Sequence, residues 1–118
     1  MELKGSLSAP LRKNEAEEIM KKNPNKVPII CEKSPNCKLK DLSKHKYLIN
    51  QNLEIGPFAS NIRAKLELPE DQALFLVANK NGKYLALTSG ETFAQVYTKY
   101  KSEDQFLHIL YTNEEVFG

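Results

Sequence analysis

The succession of predicted strands and helices restricts the fold of this chain more than any other feature of its sequence. Five segments rich in β-forming residues are predicted to be strands, and they are residues 26–33, 44–49, 73–78, 83–87 and 106–111. Asn81-Gly82 predicts a tight hairpin between the third and the fourth. Pro28 cannot donate to a strand ladder, so either the first strand lies at an edge or Pro28 lies outside the pairing.

Three further segments carry the signals of helices. Asn14 is the predicted N-cap of a helix over residues 14–22, Pro57 suits the first turn of a second helix, and Ser89 is the predicted N-cap of a third. The predicted apolar faces are Phe58, Ile62 and Leu66 in the second helix and Phe93, Val96, Tyr97 and Tyr100 in the third.

The predicted order without the first helix is ββαββαβ, which is the order of a β-grasp sheet with a helix packed across it. The expected fold class is therefore α+β, a ubiquitin-like β-grasp with an N-terminal helical extension. Ferredoxin-like domains use similar parts in the order βαββαβ. Within one domain over residues 1–118, we expect a lead-in at 1–11, a helix at 12–24, the core at 25–111 and a tail at 112–118.

Charge and composition argue against several classes of function. The net charge is only +2, which gives no overall field for binding nucleic acid, and no run of 18 apolar residues could cross a membrane. The first residues lack the apolar stretch of a secretory signal, so a cytosolic protein with Cys31 and Cys37 reduced is expected.

Candidate catalytic and metal-binding residues are few. His45 and His108 fall within predicted strands, away from any Ser or Cys in sequence, and Cys31 lies in an apolar strand that favours a core position. The spacing between Cys31 and Cys37 does not match a structural zinc site, and no glycine-rich phosphate loop is present. We therefore expect no catalytic residue, no metal and no cofactor.

Lysines cluster around the second predicted strand, at positions 33, 38, 40, 44 and 46. They can be a solvated face that guards a sheet edge, or a basic rim that meets acidic residues beside a bound peptide. An RNA-binding surface would need stacking aromatic residues among these lysines, and Tyr47 is the only one there.

The sequence ends in Val116-Phe117-Gly118. A modifier that is activated at its own carboxylate needs such a residue, because a side chain would crowd the carbonyl carbon under attack. Glycine also allows the backbone to approach an enzyme channel closely. The combination with a β-grasp order indicates a ubiquitin-like modifier rather than an enzyme.

Five segments together resemble the autophagy branch of the ubiquitin-like proteins, the light-chain/GABARAP type. They are KKNPNKVPIICEKSP, DLSKHKYLI, the F-x-x-x-I-R-x-K-L helix, ALFLVAN and EDQFLHILYTNEEVFG. The similarity runs from about Arg12 to Gly118. It implies that a cysteine protease exposes Gly118, and that activating and conjugating enzymes transfer it to phosphatidylethanolamine. A cytoplasmic protein that moves to the autophagosomal membrane when lipidated is then expected.

The resemblance also implies a groove for receptors with an aromatic-x-x-aliphatic motif, which add a strand along Lys46-Tyr47-Leu48. The implied aromatic pocket consists of Glu15, Ile19, Pro28, Ile30, Lys46, Leu48 and Phe106. The implied aliphatic pocket consists of Tyr47, Ile49, Leu53, Phe58, Asn61 and Ile62, and Lys44 and Lys65 are the implied basic rim. The apolar members can instead be plain core residues.

The chain departs from the family pattern at several positions. Asn61 replaces a usual aliphatic residue, Asn50 replaces a usual proline, the segment 81–91 is longer than usual, and the lead-in matches poorly. These differences suggest a divergent paralogue. Three alternatives remain at this point: a modifier of protein lysines, a peptide-binding module that is not conjugated, and a small thiol oxidoreductase that uses Cys31 or Cys37.

Overall fold

A computed structural model describes residues 9–35 and 37–114. Along this part of the chain the elements are α1 (Ala9–Lys22), β1 (Lys26–Lys33), β2 (Lys46–Asn50), α2 (Ile55–Lys65), β3 (Phe75–Lys80), β4 (Lys83–Ala86), α3 (Phe93–Tyr100) and β5 (Leu107–Thr112). The strands form one sheet in the order β2-β1-β5-β3-β4, in which β1 and β5 are parallel and the other pairs are antiparallel. The prediction of an α+β, ubiquitin-like fold with an N-terminal helix is confirmed.

Helices α2 and α3 pack on one face of the sheet and build the main core. Ile62 of α2, Phe93 and Val96 of α3, and Ile29 and Ile109 of the sheet are fully buried in one cluster. The predicted apolar faces of both helices are confirmed, since Phe58 and Leu66 are buried in the same cluster and Tyr97 and Tyr100 pack against it. We call this side of the sheet the core face.

Helix α1 lies on the opposite face of the sheet, which we call the α1 face. Its contact there is a second, smaller cluster in which Ala16 meets Ile30 and Phe106, with Met20 packed beside them. The helix begins at Ala9, so the prediction that Asn14 caps it is wrong. The sequence itself carries an earlier start signal, because a serine precedes Ala9 and Pro10 stands in the first turn.

The predicted cap of the third helix is also wrong. Helix α3 is capped by Thr92 instead of Ser89, through a capping box in which Thr92 Oγ1 accepts from the Gln95 backbone N and the Gln95 side chain accepts from the Thr92 backbone N. The segment that precedes α3 is hydrogen-bonded to the start of α2, where Gly56 N donates to Ser89 O at 3.0 Å. A Cβ on Gly56 would lie 3.3 Å from Ser89 Cβ, which explains a glycine at this close approach.

Pro28 lies in an interior strand, so the edge-strand alternative is wrong. Strand β1 has β2 on one side and β5 on the other. Pro28 lies opposite Leu48 in β2, and the register with β5 begins only at Ile29. Every second residue pair of an antiparallel ladder forms no hydrogen bonds. The bonds on either side of Pro28 make its pair with Leu48 one of these, so the missing N–H of Pro28 costs no bond to β2.

The tight hairpin between β3 and β4 is confirmed. Asn81 and Gly82 have φ values of 54° and 83°, which is the left-handed pair that a two-residue turn of this kind requires. Gly82 N also donates to the Asn79 side chain at 3.0 Å. No helix among the described residues is long and apolar enough to cross a membrane.

Candidate functional site: the open edge at β2

Strand β2 has β1 on one side and no strand on the other side among the described residues. Two flanking bonds set its ladder, Cys31 N to His45 O at 2.8 Å and Gln51 N to Asn25 O at 2.9 Å. With the observed register, Tyr47 and Ile49 turn their backbone N–H and C=O groups toward β1. Lys46 and Leu48 therefore direct theirs to the open side, where an added strand could bond with them.

The residues of the implied aromatic pocket meet on the α1 face, beside Lys46 and Leu48. Ile30 and Phe106 are buried under α1, and Leu48 is 37% exposed opposite Pro28. From α1, Glu15 reaches over to Lys46, with 2.5 Å between Oε1 and Nζ. Ile19 is half-buried one turn further along α1, on the side of Glu15.

Lys46 covers this pocket. Its Nζ lies 5.5 Å from the centroid of the Phe106 ring, which is within cation–π range. The Lys46 and Glu15 side chains are only 16% and 23% exposed, so their ion pair is shielded more than a surface pair. An aromatic side chain that enters from the open edge would have to displace the Lys46 ammonium from the Phe106 ring.

The residues of the implied aliphatic pocket lie on the core face. The Tyr47 ring meets the edge of the Phe58 ring at 5.8 Å, and Phe58 meets Phe93 in the same way at 5.1 Å. Ile49 and Leu53 are half-buried against the main core. Ile62 is fully buried and Phe58 nearly so, and both can only support the pocket from below. Asn61 is exposed on α2.

The Tyr47 side chain is fixed at the start of the open edge. Its hydroxyl donates to Lys44 O at 2.9 Å, and Lys44 Nζ lies 5.1 Å from its ring centroid. Burial, together with the nearby Cys31, raises the pKa of Tyr47 to about 12, so this hydroxyl stays a donor at neutral pH. Lys44 is thus held beside β2, as a basic rim requires, whereas Lys65 lies exposed at the end of α2.

The lysines around β2 differ in their ion pairs. Lys40 and Lys33 pair with carboxylates, at 2.7 Å from Glu67 and 3.8 Å from Asp41. Lys38 and Lys44 are exposed. Lys33 ends β1 and Lys40 lies in the loop after it, and both are paired, whereas no ion pair is found for Lys38 or Lys44 among the described residues.

Sequence reasoning missed the hydrogen-bond network around Asp104, a buried carboxylate that is 5% exposed. Its Oδ2 accepts from Arg12 Nε at 2.9 Å and lies 2.7 Å from His108 Nε2, and its Oδ1 accepts from the Phe106 backbone N at 3.0 Å. Burial raises the pKa of Asp104, but the hydrogen bonds from Arg12, His108 and Phe106 lower it by more, so the pKa of Asp104 lies below its usual value. Nothing in the local sequence marks Asp104, since its partner Arg12 is 92 positions away.

The structure also has a cavity of about 350 Å³ that the sequence did not indicate. It lies between the start of α2 and the β3–β4 hairpin, and its lining is mostly apolar, with Ile55, Ala59, Leu74, Leu76 and Leu87 among the residues. None of the residues of the two implied pockets is among those that line this cavity.

The two thiols are placed as structural residues. Cys31 is fully buried, and burial together with Glu32 raises its pKa to about 12, so it stays protonated and unreactive at neutral pH. Cys37 is also buried, and its Sγ lies near the Leu39 backbone N and the Asn113 side chain. Within residues 9–35 and 37–114 there is no group of three side chains that could hold a metal ion.

The sheet order, the helix across the core face and the extra N-terminal helix define the class as a ubiquitin-like β-grasp protein. A sequence model described as "Autophagy protein Atg8 ubiquitin like" matches residues 11–118. The chain is also 35% identical to Trypanosoma brucei ATG8, whose crystal structure matches with a TM-score of 0.80 over 98% of this chain and 96% of that one. The chain belongs to the Atg8 family, and it is an autophagy ubiquitin-like protein.

Proposed function

We propose that this protein is a modifier that is joined through Gly118 to phosphatidylethanolamine and recruits receptors with an aromatic-x-x-aliphatic motif. It supplies no catalytic group itself. The observation that carries the proposal is the open edge at β2, which has the residues of one implied pocket on each face of the sheet, in a chain that belongs to the Atg8 family.

The geometry of β2 supports a direction for the bound motif. The aromatic pocket lies beside Lys46 and Leu48, and the aliphatic pocket lies further along the strand, beside Ile49 and Leu53. A motif whose aromatic residue comes first therefore runs parallel to β2. Residues three positions apart on a strand point to opposite faces, which is how one peptide reaches both pockets.

The expected affinity is on the order of micromolar. Each anchored side chain contributes roughly 1.5–3 kcal/mol, and each backbone hydrogen bond at Lys46 or Leu48 adds about 1 kcal/mol. Ordering of the flexible peptide offsets part of this gain. Such an affinity allows receptors to exchange while the modifier stays on its membrane.

The membrane anchor in this proposal is covalent. An activating enzyme joins the Gly118 carboxylate to the AMP part of ATP, which gives an acyl adenylate and releases pyrophosphate, and an enzyme thiol then displaces AMP to form a thioester. The amine of phosphatidylethanolamine displaces that thiol and loses a proton, which leaves an amide. At about 0.8 kcal/mol per buried CH2, two acyl chains hold the protein firmly. Gly118 lies outside the described residues.

Reconstitution tests the conjugation directly. The protein is incubated with the activating and conjugating enzymes of the autophagy system, ATP and liposomes that contain phosphatidylethanolamine. Mass spectrometry should find the mass of the lipid on the intact chain and none on a chain that lacks Gly118. A mass that corresponds to attachment on a protein lysine, or no product with the intact chain, would contradict the proposal. The deconjugating cysteine protease should remove the lipid.

Peptide binding is tested separately, because it does not depend on conjugation. Calorimetry with an aromatic-x-x-aliphatic peptide should give a micromolar dissociation constant, and amide shifts in NMR should be largest at Lys46, Tyr47 and Leu48. A peptide with both anchors replaced by alanine is the matched control. Equal binding of the two peptides, or shifts elsewhere only, would exclude this groove as the receptor site.

A further inference from the structure

The two sides of the aromatic pocket come from distant parts of the chain, and one buried carboxylate is bonded to both. Glu15 and Ile19 form the α1 side, and Phe106 forms the sheet side. Asp104 accepts from Arg12, which lies on α1 one turn before Glu15, and also from the backbone N of Phe106. The distance between the two sides of the pocket therefore depends on the position of this carboxylate.

His108 fixes the Asp104 carboxylate in turn. Its Nε2 lies 2.7 Å from Asp104 Oδ2, the same oxygen that accepts from Arg12. The His108 ring also lies beside the Phe106 ring, with 6.5 Å between the centroids. Arg12, Ile30, Glu32 and His108 line a small cavity of about 180 Å³ there, and Ile30 is shared with the aromatic pocket.

Helix α1 needs such a polar link because its apolar contact is small. Ala16 and Met20 are the α1 residues that pack in the cluster with Ile30 and Phe106. Two of the ion pairs in the described residues join α1 to the rest of the fold, Glu15 with Lys46 and Arg12 with Asp104. A ligand that reaches the Phe106 ring would displace Lys46, which weakens the first pair and leaves the Asp104 pair and the small apolar cluster to hold the helix.

We propose that Asp104, oriented by His108, is a positioning residue that sets the separation of α1 and Phe106 and so determines how well the pocket accepts an aromatic anchor. This inference rests on the proposed peptide binding at β2. Neither residue touches the peptide. Their effect is transmitted through Arg12 to the helix and through the backbone N–H of Phe106 to the sheet side of the pocket.

The test compares two peptides, one with the aromatic-x-x-aliphatic motif and one with alanine in place of the aromatic residue. NMR titration gives the affinity ratio of the two peptides for each protein variant. Asp104→Asn places an amide against the Arg12 donor, and should reduce the ratio about tenfold, the effect of roughly one lost charge-assisted hydrogen bond. Affinity for the alanine peptide should stay unchanged.

Variants of His108 keep the test decisive if Asp104→Asn does not fold, because the His108 side chain is partly exposed. His108→Leu should reduce the ratio, and His108→Gln should restore it, since the Gln side-chain amide can donate from nearly the same position as Nε2. Asp41→Asn is the matched control, because it makes the same charge change at an exposed site whose described partner is Lys33.

The outcomes separate this inference from the function on which it rests. If the wild-type protein does not distinguish the two peptides, the proposed peptide site is wrong, and this inference is wrong with it. If the wild type distinguishes them and the ratio stays the same in the folded Asp104 and His108 variants, only the positioning role is overturned. An equal loss for both peptides would also overturn it, because that is the result of general destabilisation.

Discussion

The two implied anchor pockets lie on opposite faces of the same edge strand, and they are built in different ways. The aliphatic pocket rests on the main core, where Phe58 and Ile62 are buried among α2, α3 and the sheet. The aromatic pocket lies between the sheet and α1, over a small cluster, and is bordered by charged groups such as the Lys46–Glu15 pair. The main core therefore supports one pocket, and a small apolar cluster with a few polar contacts supports the other.

This difference predicts that substitutions on the two faces separate stability from binding. On the core face, side chains near the pocket carry a large share of the folding free energy. On the α1 face, side chains at the pocket can change with less loss of stability, and the affinity for the aromatic anchor should change more. Four substitutions examine this contrast.

The largest effect is expected on the core face. Ile62→Ala removes a fully buried side chain and leaves a cavity, and it should lower the free energy of unfolding by about 2–5 kcal/mol. Urea denaturation followed by circular dichroism measures this loss. The neighbouring exposed substitution Asn61→Ala is the control and should change stability by less than about 0.5 kcal/mol. A loss of similar size in both variants would mean that the helix, and not its buried face, determines the effect.

The second effect concerns pH and the α1 face. The folded-state pKa of Asp104 is lowered, so its stabilising contribution is present above the unfolded pKa of about 4 and is lost as the pH falls through the folded value. Asp104→Asn should cost about 1.5–3 kcal/mol at pH 7 and less in strong acid. Denaturation curves at pH 7 and at pH values below 4 measure the difference. A cost that does not change with pH would show that the Asp104 charge is not the stabilising group.

The third effect is on binding alone. Leu48 is 37% exposed at the open edge, so Leu48→Ala removes surface that a ligand would cover and little that the fold needs. The affinity for an aromatic-x-x-aliphatic peptide should fall about tenfold, or roughly 1.4 kcal/mol, and the midpoint of thermal unfolding should hardly change. Calorimetry and a thermal scan on the same sample provide both values. A clear loss of thermal stability would show that Leu48 is a core residue after all.

The fold could be predicted from the sequence because its signals are local. The strand at 26–33 coincides with β1, and the Asn81-Gly82 turn and the apolar faces of α2 and α3 are present in the structure as expected. Errors occurred at the helix starts, where several residues could cap the helix. Helix α1 begins at Ala9 and not at Asn14, and α3 is capped by Thr92 and not by Ser89. Capping preferences differ by only about 1 kcal/mol, and tertiary contacts outweigh them.

The candidate site could be predicted only in part. The resemblance implied the residues around β2, and the register explains why the backbone groups of Lys46 and Leu48 face the open side while those of Tyr47 and Ile49 face β1. The link between Arg12 and Asp104 could not be found, because a contact across 92 positions leaves no local pattern in a single sequence. The same holds for the burial of Asp104, since a carboxylate in a polar loop is usually exposed.

The smallest effect concerns Asn61, where the chain departs from the family pattern on the core face. Asn61 is exposed on α2, one position before the buried Ile62 and three after Phe58. If it borders the aliphatic pocket, Asn61→Leu should restore apolar contact and raise the affinity for the motif about threefold, which corresponds to roughly 0.6 kcal/mol. Ser60→Leu, at a neighbouring exposed position of the same helix, is the control and should leave the affinity unchanged. The gain should vanish when the aliphatic residue of the peptide is replaced by alanine. A gain that survives this replacement would mean that the added leucine contacts the peptide elsewhere, and that the aliphatic anchor does not enter the core-face pocket.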